Sequence, residues 1–176
     1  QIILNAASKA PNGGNAQPAR YLVIRDSDAI CEFGKLYFEA WWAKRKDAGI
    51  HGRQDVPKDN LVMQSAMSLA EEISNAPVIV IVCSTSKGSK AMGSVIPSVQ
   101  NMLLAARSLG IGGTITTLHD QVQLRVHNLF GIPDTAQVVY CVPLGYPKGR
   151  FGPVSRKSLE NVAACDHWDG KPLYAV

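Results

Sequence analysis

The chain has 176 residues, of which 46% are hydrophobic and 18% charged, so we expect one globular domain over residues 1–176. The formal net charge of +4 is too small for an electrostatic nucleic-acid binder. No apolar run approaches the roughly 18 to 20 residues of a membrane span. The four cysteines are far apart and form no CxxC pair. The sequence therefore predicts a soluble cytoplasmic protein with reduced thiols and no metal site, nucleic-acid partner or membrane partner.

The first predicted elements are a helix, a loop, a strand and a long helix. Apolar side chains of residues 2–7 lie on or beside one helical face, and residues 11–14, Pro-Asn-Gly-Gly, end that helix. Residues 21–26 predict a short strand. Asp28 is expected to cap the next helix, which carries apolar side chains at spacings of three and four to about residue 46.

The end of that helix carries the densest basic stretch of the chain, residues 44–46. Its position beside an aspartate favours a solvated helix end over a groove that follows phosphates. A connecting loop over residues 49–58 and a second amphipathic helix over residues 61–73 follow. Residues 77–83 form a continuous β-branched run, typical of a strand covered on both faces, and residues 84–93 are a polar excursion.

The second half of the chain continues the alternation. A helix is predicted over residues 94–109, with Gly110 in position for the positive φ of a helix end. A turn then leads into a Thr-rich strand over residues 112–117. A short helix over residues 121–130 and a buried strand over residues 137–144 complete the set. Strands separated by helices that can cover both sheet faces predict a layered α and β domain.

One loop carries amide side chains suited to a planar ligand. Asn12, Asn15 and Gln17 lie beside Gly13 and Gly14. Amides both donate and accept hydrogen bonds, so they match the edge of a heteroaromatic ring, and glycine lets the backbone approach it. The alternative is an ordinary helix C-terminal turn, in which Asn and Gly supply positive φ.

Two further segments suit a ligand. Residues 110–117 resemble the start of a strand that lines a ligand pocket. They do not match the GxGxxG pattern of dinucleotide-binding proteins, because Ile115 stands where that pattern needs glycine. The alternative is that these residues only end a helix and begin a Thr-rich strand.

Lys148 and Arg150 lie in a glycine-flanked turn over residues 143–151 and suit a phosphate group. Arginine offers paired N–H donors to the phosphate oxygens, and lysine adds a positive charge. A solvated basic turn remains the alternative there.

No catalytic acid, base or nucleophile is predicted. The four histidines form no HxxH or HExxH arrangement, and no serine lies in a GxSxG turn. His119 and Asp120 are expected at a helix N-terminus, with Asp120 as the cap. Trp41 and Trp42 are expected to be core or interface aromatics, with a substrate-stacking surface as the alternative.

In register along the chain, these segments resemble the FMN-dependent nitroreductase family. Residues 6–18, AASKAPNGGNAQP, are similar to the pattern A-A-x-x-A-P-S-x-x-N-x-Q-P-W. Residues 101–112 resemble N-x-x-L-A-A-x-x-L-G-x-G, and residues 143–150 resemble the P-x-G-x-P basic turn. The chain departs from the pattern with Asn12 in place of Ser and Ala19 in place of Trp.

The resemblance implies an α+β fold, a three-layer α/β/α sandwich with a mainly antiparallel central sheet. It also implies a homodimer that binds FMN at the interface, with a backbone N–H of the Thr-rich segment near flavin N5. The implied cofactor-binding residues are Pro11, Asn12, Gly13, Asn15 and Gln17 from one subunit, Gly113, Thr114, Ile115, Thr116 and Thr117 on the other flank, and Lys148 and Arg150 at the phosphate.

The activity that the resemblance implies is ping-pong transfer of hydride from NADH or NADPH through FMN to a nitroaromatic, a quinone or another small aromatic acceptor. Alternatives are a flavin-binding or flavin-storing protein with little turnover, or flavin degradation, dehalogenation or azoline oxidation. The family's R-x-S-x-R phosphate grip precedes the matching helix. Because Gln1 already belongs to that helix and no Met begins the chain, we expect an N-terminal segment to be missing.

Overall fold

The computed structural model describes residues 1–149 and 152–172, and an antiparallel sheet forms its centre. The strands of this part of the chain are β1 (Ala19–Ile24), β2 (Val78–Ser84), β3 (Gly112–Gly113) and β4 (Gln137–Gly145). Their spatial order is β1-β2-β4-β3, and each neighbouring pair is antiparallel. Antiparallel sheets commonly leave one face in water, but here residues of β2 and β4 contribute to a hydrophobic core on each face.

Helices cover both faces of the sheet. They are α1 (Ile2–Ser8), α2 (Ser27–Asp47), α3 (Leu61–Glu72), α4 (Ser89–Ser108) and α5 (Asp120–Phe130), with short 3-10 turns at Gly13–Asn15, Arg53–Asp55, Ile73–Asn75 and Leu159–Asn161. No helix within the described residues is long and apolar enough to cross a bilayer.

The side chains of β2 alternate between two hydrophobic cores. Ile79 and Ile81 point into the core formed with α2, α3 and α5, whereas Val80 and Val82 pack against α1 and α4. All four side chains are essentially inaccessible to solvent. This arrangement confirms the predicted three-layer α/β/α sandwich and explains why residues 77–83 show no polar alternation.

Both predicted helix caps are wrong by one or two residues. The carboxylate of Asp26, not Asp28, accepts a hydrogen bond from the Ala29 N–H at 2.8 Å, because Asp26 has the extended backbone of a capping residue. At α5, His119 is the cap, and its Nδ1 accepts from the Gln121 N–H at 3.2 Å. The adjacent aspartates instead lie in the first helical turns, where their charge favours the helix dipole.

Two element boundaries also differ from the prediction. The strand expected over residues 112–117 is reduced to β3 and one bridge between Thr116 and Cys141, because the chain leaves the edge of β4 after Gly113. The polar excursion is shorter than predicted, since α4 begins at Ser89. Gly88, with φ 108°, provides the turn before it.

The four cysteines are free, and two of them lie in the core. Burial raises the pKa of the Cys83 thiol to about 11 and raises the pKa of Cys141 as well. At pH 8 we expect a thiol reagent to react with Cys31 in the native protein but with Cys83 and Cys141 only after unfolding in urea. Equal native reaction rates at Cys31 and Cys83 would contradict the burial.

The same pKa shifts predict a stability loss at alkaline pH. A raised pKa means that the folded protein binds the thiol proton more tightly than the unfolded chain does. The contribution of Cys83 is therefore complete below the unfolded pKa of about 8.5 and declines as pH rises. For Cys83 the decline continues toward about 11. Urea denaturation at pH 7, 9 and 10 measures this slope, and Cys83→Ala is expected to reduce it.

Candidate functional site

The Thr-rich segment after β3 lines a cleft of about 760 Å³. The cleft lies between this segment, the C-terminal half of α2 and the first turns of α3. A shallower groove of about 320 Å³ shares Gly113 and Thr114 with the cleft and continues to Tyr146 and Pro147. Since Lys148 follows directly, one surface leads from an aromatic-lined cleft to the basic turn.

Gly113 allows β3 to pack closely against β4 and α4. A Cβ added there would lie 2.7 Å from Leu144 Cδ2, 3.1 Å from Leu103 Cδ2 and 3.2 Å from the Pro143 carbonyl oxygen. Such distances are shorter than ordinary van der Waals contact. The missing side chain lets β3 approach β4 and places Thr114 at the junction of the cleft and the groove.

Of the four predicted residues after Gly113, one is buried and hydrogen-bonded to β4, and three have exposed side chains. Thr116 is buried, its hydroxyl donates to the Cys141 carbonyl at 2.8 Å, and the two residues exchange backbone hydrogen bonds. Its side chain is thus already occupied. Thr114, Ile115 and Thr117 are exposed to the cleft and free to meet a ligand.

Tyr37 of α2 is the buried polar group beside Thr116. Burial raises the pKa of the Tyr37 hydroxyl, and a hydrogen bond with Thr116 opposes that shift. Tyr37 therefore stays protonated at neutral pH and holds the wall of the cleft without supplying a charge.

The amide loop over residues 11–17 has a defined geometry. Asn12 Oδ1 accepts a hydrogen bond from the Gln17 N–H at 2.8 Å, and the Gly13 N–H donates to Ser94 Oγ at 3.1 Å. Asn15 and Gln17 have positive φ, 54° and 50°, which is uncommon for residues other than glycine. These two side chains are exposed, as is Pro11, so their amides are available to a ligand or another chain.

The amide loop and the Thr-rich segment lie toward opposite ends of the sheet. Pro18, directly after the loop, bonds to Thr85 just beyond the end of β2, which pairs there with Gln137 of β4. Gly113 instead pairs with Leu144 near the other end of β4. Seven residues separate the two β4 positions, so at a rise of roughly 3.3 Å per residue they are about 23 Å apart. Thr116 of the same segment bridges Cys141, only four residues from Gln137, so the nearer end of the segment is about 13 Å from the loop along the strands. The loop precedes β1 and the segment follows β3, the two opposite edges of the sheet, so one chain keeps the two predicted groups apart across the sheet as well.

The basic turn is only partly described. Lys148 is exposed, and no ion pair of its side chain occurs within residues 1–149 and 152–172. Arg150, the other predicted phosphate ligand, lies outside the described residues.

The C-terminal turns of α2 form a second wall of the cleft, where the sequence offered a substrate-stacking surface at Trp41 only as an alternative and assigned no role to Arg45. Trp41 is 7% exposed, which agrees with the predicted core role, but it also lines the cleft. The Arg45 guanidinium lies 5.2 Å from its ring centre. Lys44 and Lys46 are exposed as predicted for a solvated helix end, whereas Arg45 is half-buried. The spacing of four between Trp41 and Arg45 was the available signal, since it places both on one helix face.

His119 closes the cleft near the end of α2. Its Nε2 lies 3.0 Å from Asp47 Oδ2, an ion pair when the imidazole is protonated. In the described part of the chain, no group of three His, Cys, Asp or Glu side chains is arranged to hold a metal ion.

A three-layer antiparallel sandwich with a cleft beside the short edge strand defines the class of nitroreductase-fold proteins. The fold matches iodotyrosine deiodinase bound to FMN and 3-iodo-L-tyrosine with a TM-score of 0.73 and 24% identity, over 89% of this chain and 82% of that chain. Residues 1–146 match the nitroreductase family. The chain therefore belongs to the nitroreductase family of oxidoreductases.

Two archaeal proteins named "Putative NADH dehydrogenase/NAD(P)H nitroreductase" are similar in sequence. The protein from Archaeoglobus fulgidus is 28% identical over 153 residues, which are 83% of this chain and 71% of that protein. The protein from Methanothermobacter thermautotrophicus is 39% identical over 152 residues, 82% of this chain and 63% of that protein. The chain thus spans less than two thirds of the Methanothermobacter protein.

Proposed function

We propose that this protein is an FMN-dependent NAD(P)H oxidoreductase that acts as a homodimer. The observation that carries the proposal is the continuous surface from the cleft, across Gly113 and Thr114, to the turn before Lys148. Exposed hydroxyls followed by a cation suit a polar chain that ends in phosphate. The chemistry that FMN would supply there is hydride transfer from NADH or NADPH to a nitroaromatic, quinone or similar acceptor.

The chain's own residues would bind and orient the cofactor. Thr114 and Thr117 offer hydroxyls on one flank, and Ile115 offers an apolar contact. Lys148, together with Arg150, would hold the phosphate by charge-assisted hydrogen bonds. The Tyr37 and Trp41 wall leaves room for a second planar molecule in the cleft. No side chain has to act as acid, base or nucleophile.

The separation of the two predicted groups supports the proposed homodimer. Along the strands the amide loop lies about 13 Å from the level of Thr116 and about 23 Å from the level of Gly113. Since the two groups also lie at opposite edges of the sheet, three strand spacings of about 4.8 Å apart, one compact ring would not contact both groups in one chain. A twofold axis would place the loop of one chain against the Thr-rich segment of the other, and would create two equivalent sites. The exposed amides of Asn15 and Gln17 support this arrangement.

Anaerobic reduction tests the proposed activity. The purified protein, reconstituted with FMN and freed of excess flavin, is expected to show the flavin absorbance bands, to lose them on addition of NADH or NADPH, and to regain them with a quinone. Free FMN at the same concentration is the control. A retained flavin that neither nucleotide reduces would support the flavin-storing alternative, and failure to retain FMN would contradict both.

Reductive dehalogenation is a second candidate for the same site. The fold match to iodotyrosine deiodinase favours it. Iodide release from 3-iodo-L-tyrosine by the reduced, FMN-loaded protein would support this activity. Turnover of nitroaromatics without iodide release would favour the nitroreductase activity.

A further inference from the structure

We propose that Lys44 and Arg45 make the cleft selective for aromatic electron acceptors that carry a negative charge. The inference rests on the proposed function, because it names the class of molecule that enters the cleft beside the Thr-rich segment.

Arg45 lines the cleft and is held against an aromatic ring. Its guanidinium lies over the Trp41 ring at 5.2 Å, which fixes the side chain by a cation–π contact. Its buried Nε has no hydrogen-bond partner within the described residues. The guanidinium carries further N–H donors on its two Nη atoms, and this fork suits the carboxylate of an anion in the cleft. Lys44, one residue earlier, lines the same cleft and is exposed.

No carboxylate neutralises this wall. Among the described residues that line the cleft, Lys44 and Arg45 carry charge and no Asp or Glu is present. Four acidic groups of the adjoining elements have other partners: Asp47 bonds to His119, Glu39 to Arg125, Glu71 to Arg53, and Asp55 to the N–H groups of His51 and Gly52. The cleft therefore has an excess of positive charge, which attracts anions most strongly at low ionic strength.

The opposite wall is apolar. Leu61 and Val62 at the start of α3 line the cleft and are 78% and 82% exposed. An aromatic ring that packs against them would cover apolar surface while its anionic substituent reached Arg45. Inorganic phosphate would leave the apolar wall in water. The combination therefore favours an amphipathic aromatic anion.

The dipole of α2 explains only part of the positive charge at this wall of the cleft. Cations in the last turn of a helix are favourable because the C-terminal end is partly negative, and residues 44–46 satisfy this rule. The dipole does not require Arg45 to turn onto Trp41, nor a cleft lining without acids. Lys46 is exposed and is absent from the lining, so it provides a matched control.

A pair of acceptors that differ in charge tests the selectivity. The FMN-loaded protein is reduced with dithionite, so that no nucleotide is present, and then mixed with 4-nitrobenzoate or 4-nitrobenzamide. We expect the native protein to prefer the anion, and Arg45→Met and Lys44→Met to lower that preference about tenfold or more. Arg45→Lys should retain much of it and Lys46→Met nearly all. Equal rates for the two acceptors in the native protein would overturn the proposal.

Equilibrium binding provides a readout that is independent of turnover. Benzoate is expected to quench the tryptophan fluorescence of the protein at lower concentration than benzamide, in the flavin-loaded and flavin-free protein, with a difference that shrinks as salt is added. If FMN fails to bind, the proposed function fails, while this titration still tests whether Lys44 and Arg45 favour an anion in the cleft. No difference between benzoate and benzamide would overturn the inference alone.

A further experiment decides whether Lys44 and Arg45 recognise the electron acceptor or the reducing nucleotide, which also carries negative charge. Flavin reduction by NADH is compared with reduction by 1-benzyl-1,4-dihydronicotinamide, which has no phosphate. If Arg45→Met slows reduction by NADH alone and leaves the acceptor preference unchanged, the wall recognises the dinucleotide and the proposal is overturned. An effect on the acceptors with similar NADH reduction supports it.

Discussion

A variant of the amide loop and a variant of the basic turn are each expected to lose flavin, and a dimer that combines them is expected to regain one site. The loop variant is Asn15→Gly with Gln17→Gly, which removes both amides and suits their positive φ. The turn variant is Lys148→Ala with Arg150→Ala. Loss of each charge-assisted hydrogen bond to phosphate should weaken FMN binding by roughly 1.5–3 kcal/mol.

The expected recovery follows from twofold symmetry. In a mixed dimer, one site receives both altered groups, and the other receives the native loop of one chain and the native turn of its partner. Co-expression with two different tags allows the mixed dimer to be purified, and its flavin absorbance should correspond to about one FMN per dimer.

Each variant purified alone should remain a dimer by light scattering while holding little flavin. If the mixed dimer also holds no flavin, the loop and the turn act within one chain, and the two-chain site is wrong. If the native protein is a monomer that still binds FMN, the homodimer is wrong as well.

Gly34→Ala is expected to destabilise the protein, although alanine favours a helix more than glycine does. Gly34 is buried in α2, and a Cβ there would lie 2.7 Å from Ser74 Cβ and 3.1 Å from Ser74 Cα. Because the close neighbours include backbone, α2 would have to move away from the turn Ile73–Asn75. Overpacking of this kind costs about 1–3 kcal/mol, more than the helix-propensity gain of about 1 kcal/mol.

Gly93→Ala is the matched control. Gly93 lies in α4 and is exposed, and an added Cβ would meet no atom within 4 Å. Its free energy of unfolding should rise by up to about 1 kcal/mol. Urea denaturation of both variants measures the difference in sign. A Gly34→Ala protein as stable as Gly93→Ala would show that the contact between α2 and Ser74 yields easily.

The layered architecture was predictable because its signals are local and repeated. The continuous β-branched run at β2 indicated burial on both faces, and Gly110, with φ 73°, ends α4 as predicted. The caps were less predictable. Asp26 and Asp28 flank Ser27, and the backbone conformation before the helix decides which of them bonds to an N–H.

The sequence by itself determined the alternation of helices and strands, the buried central strands, and the three segments that carry amides, hydroxyls and cations. The tertiary structure alone decided that the amide loop and the Thr-rich segment lie at opposite edges of the sheet, and that Arg45 turns onto Trp41 in a cleft without acids. Periodicity reports which face of an element is buried. It does not report which distant element packs against that face, because such contacts depend on chain topology.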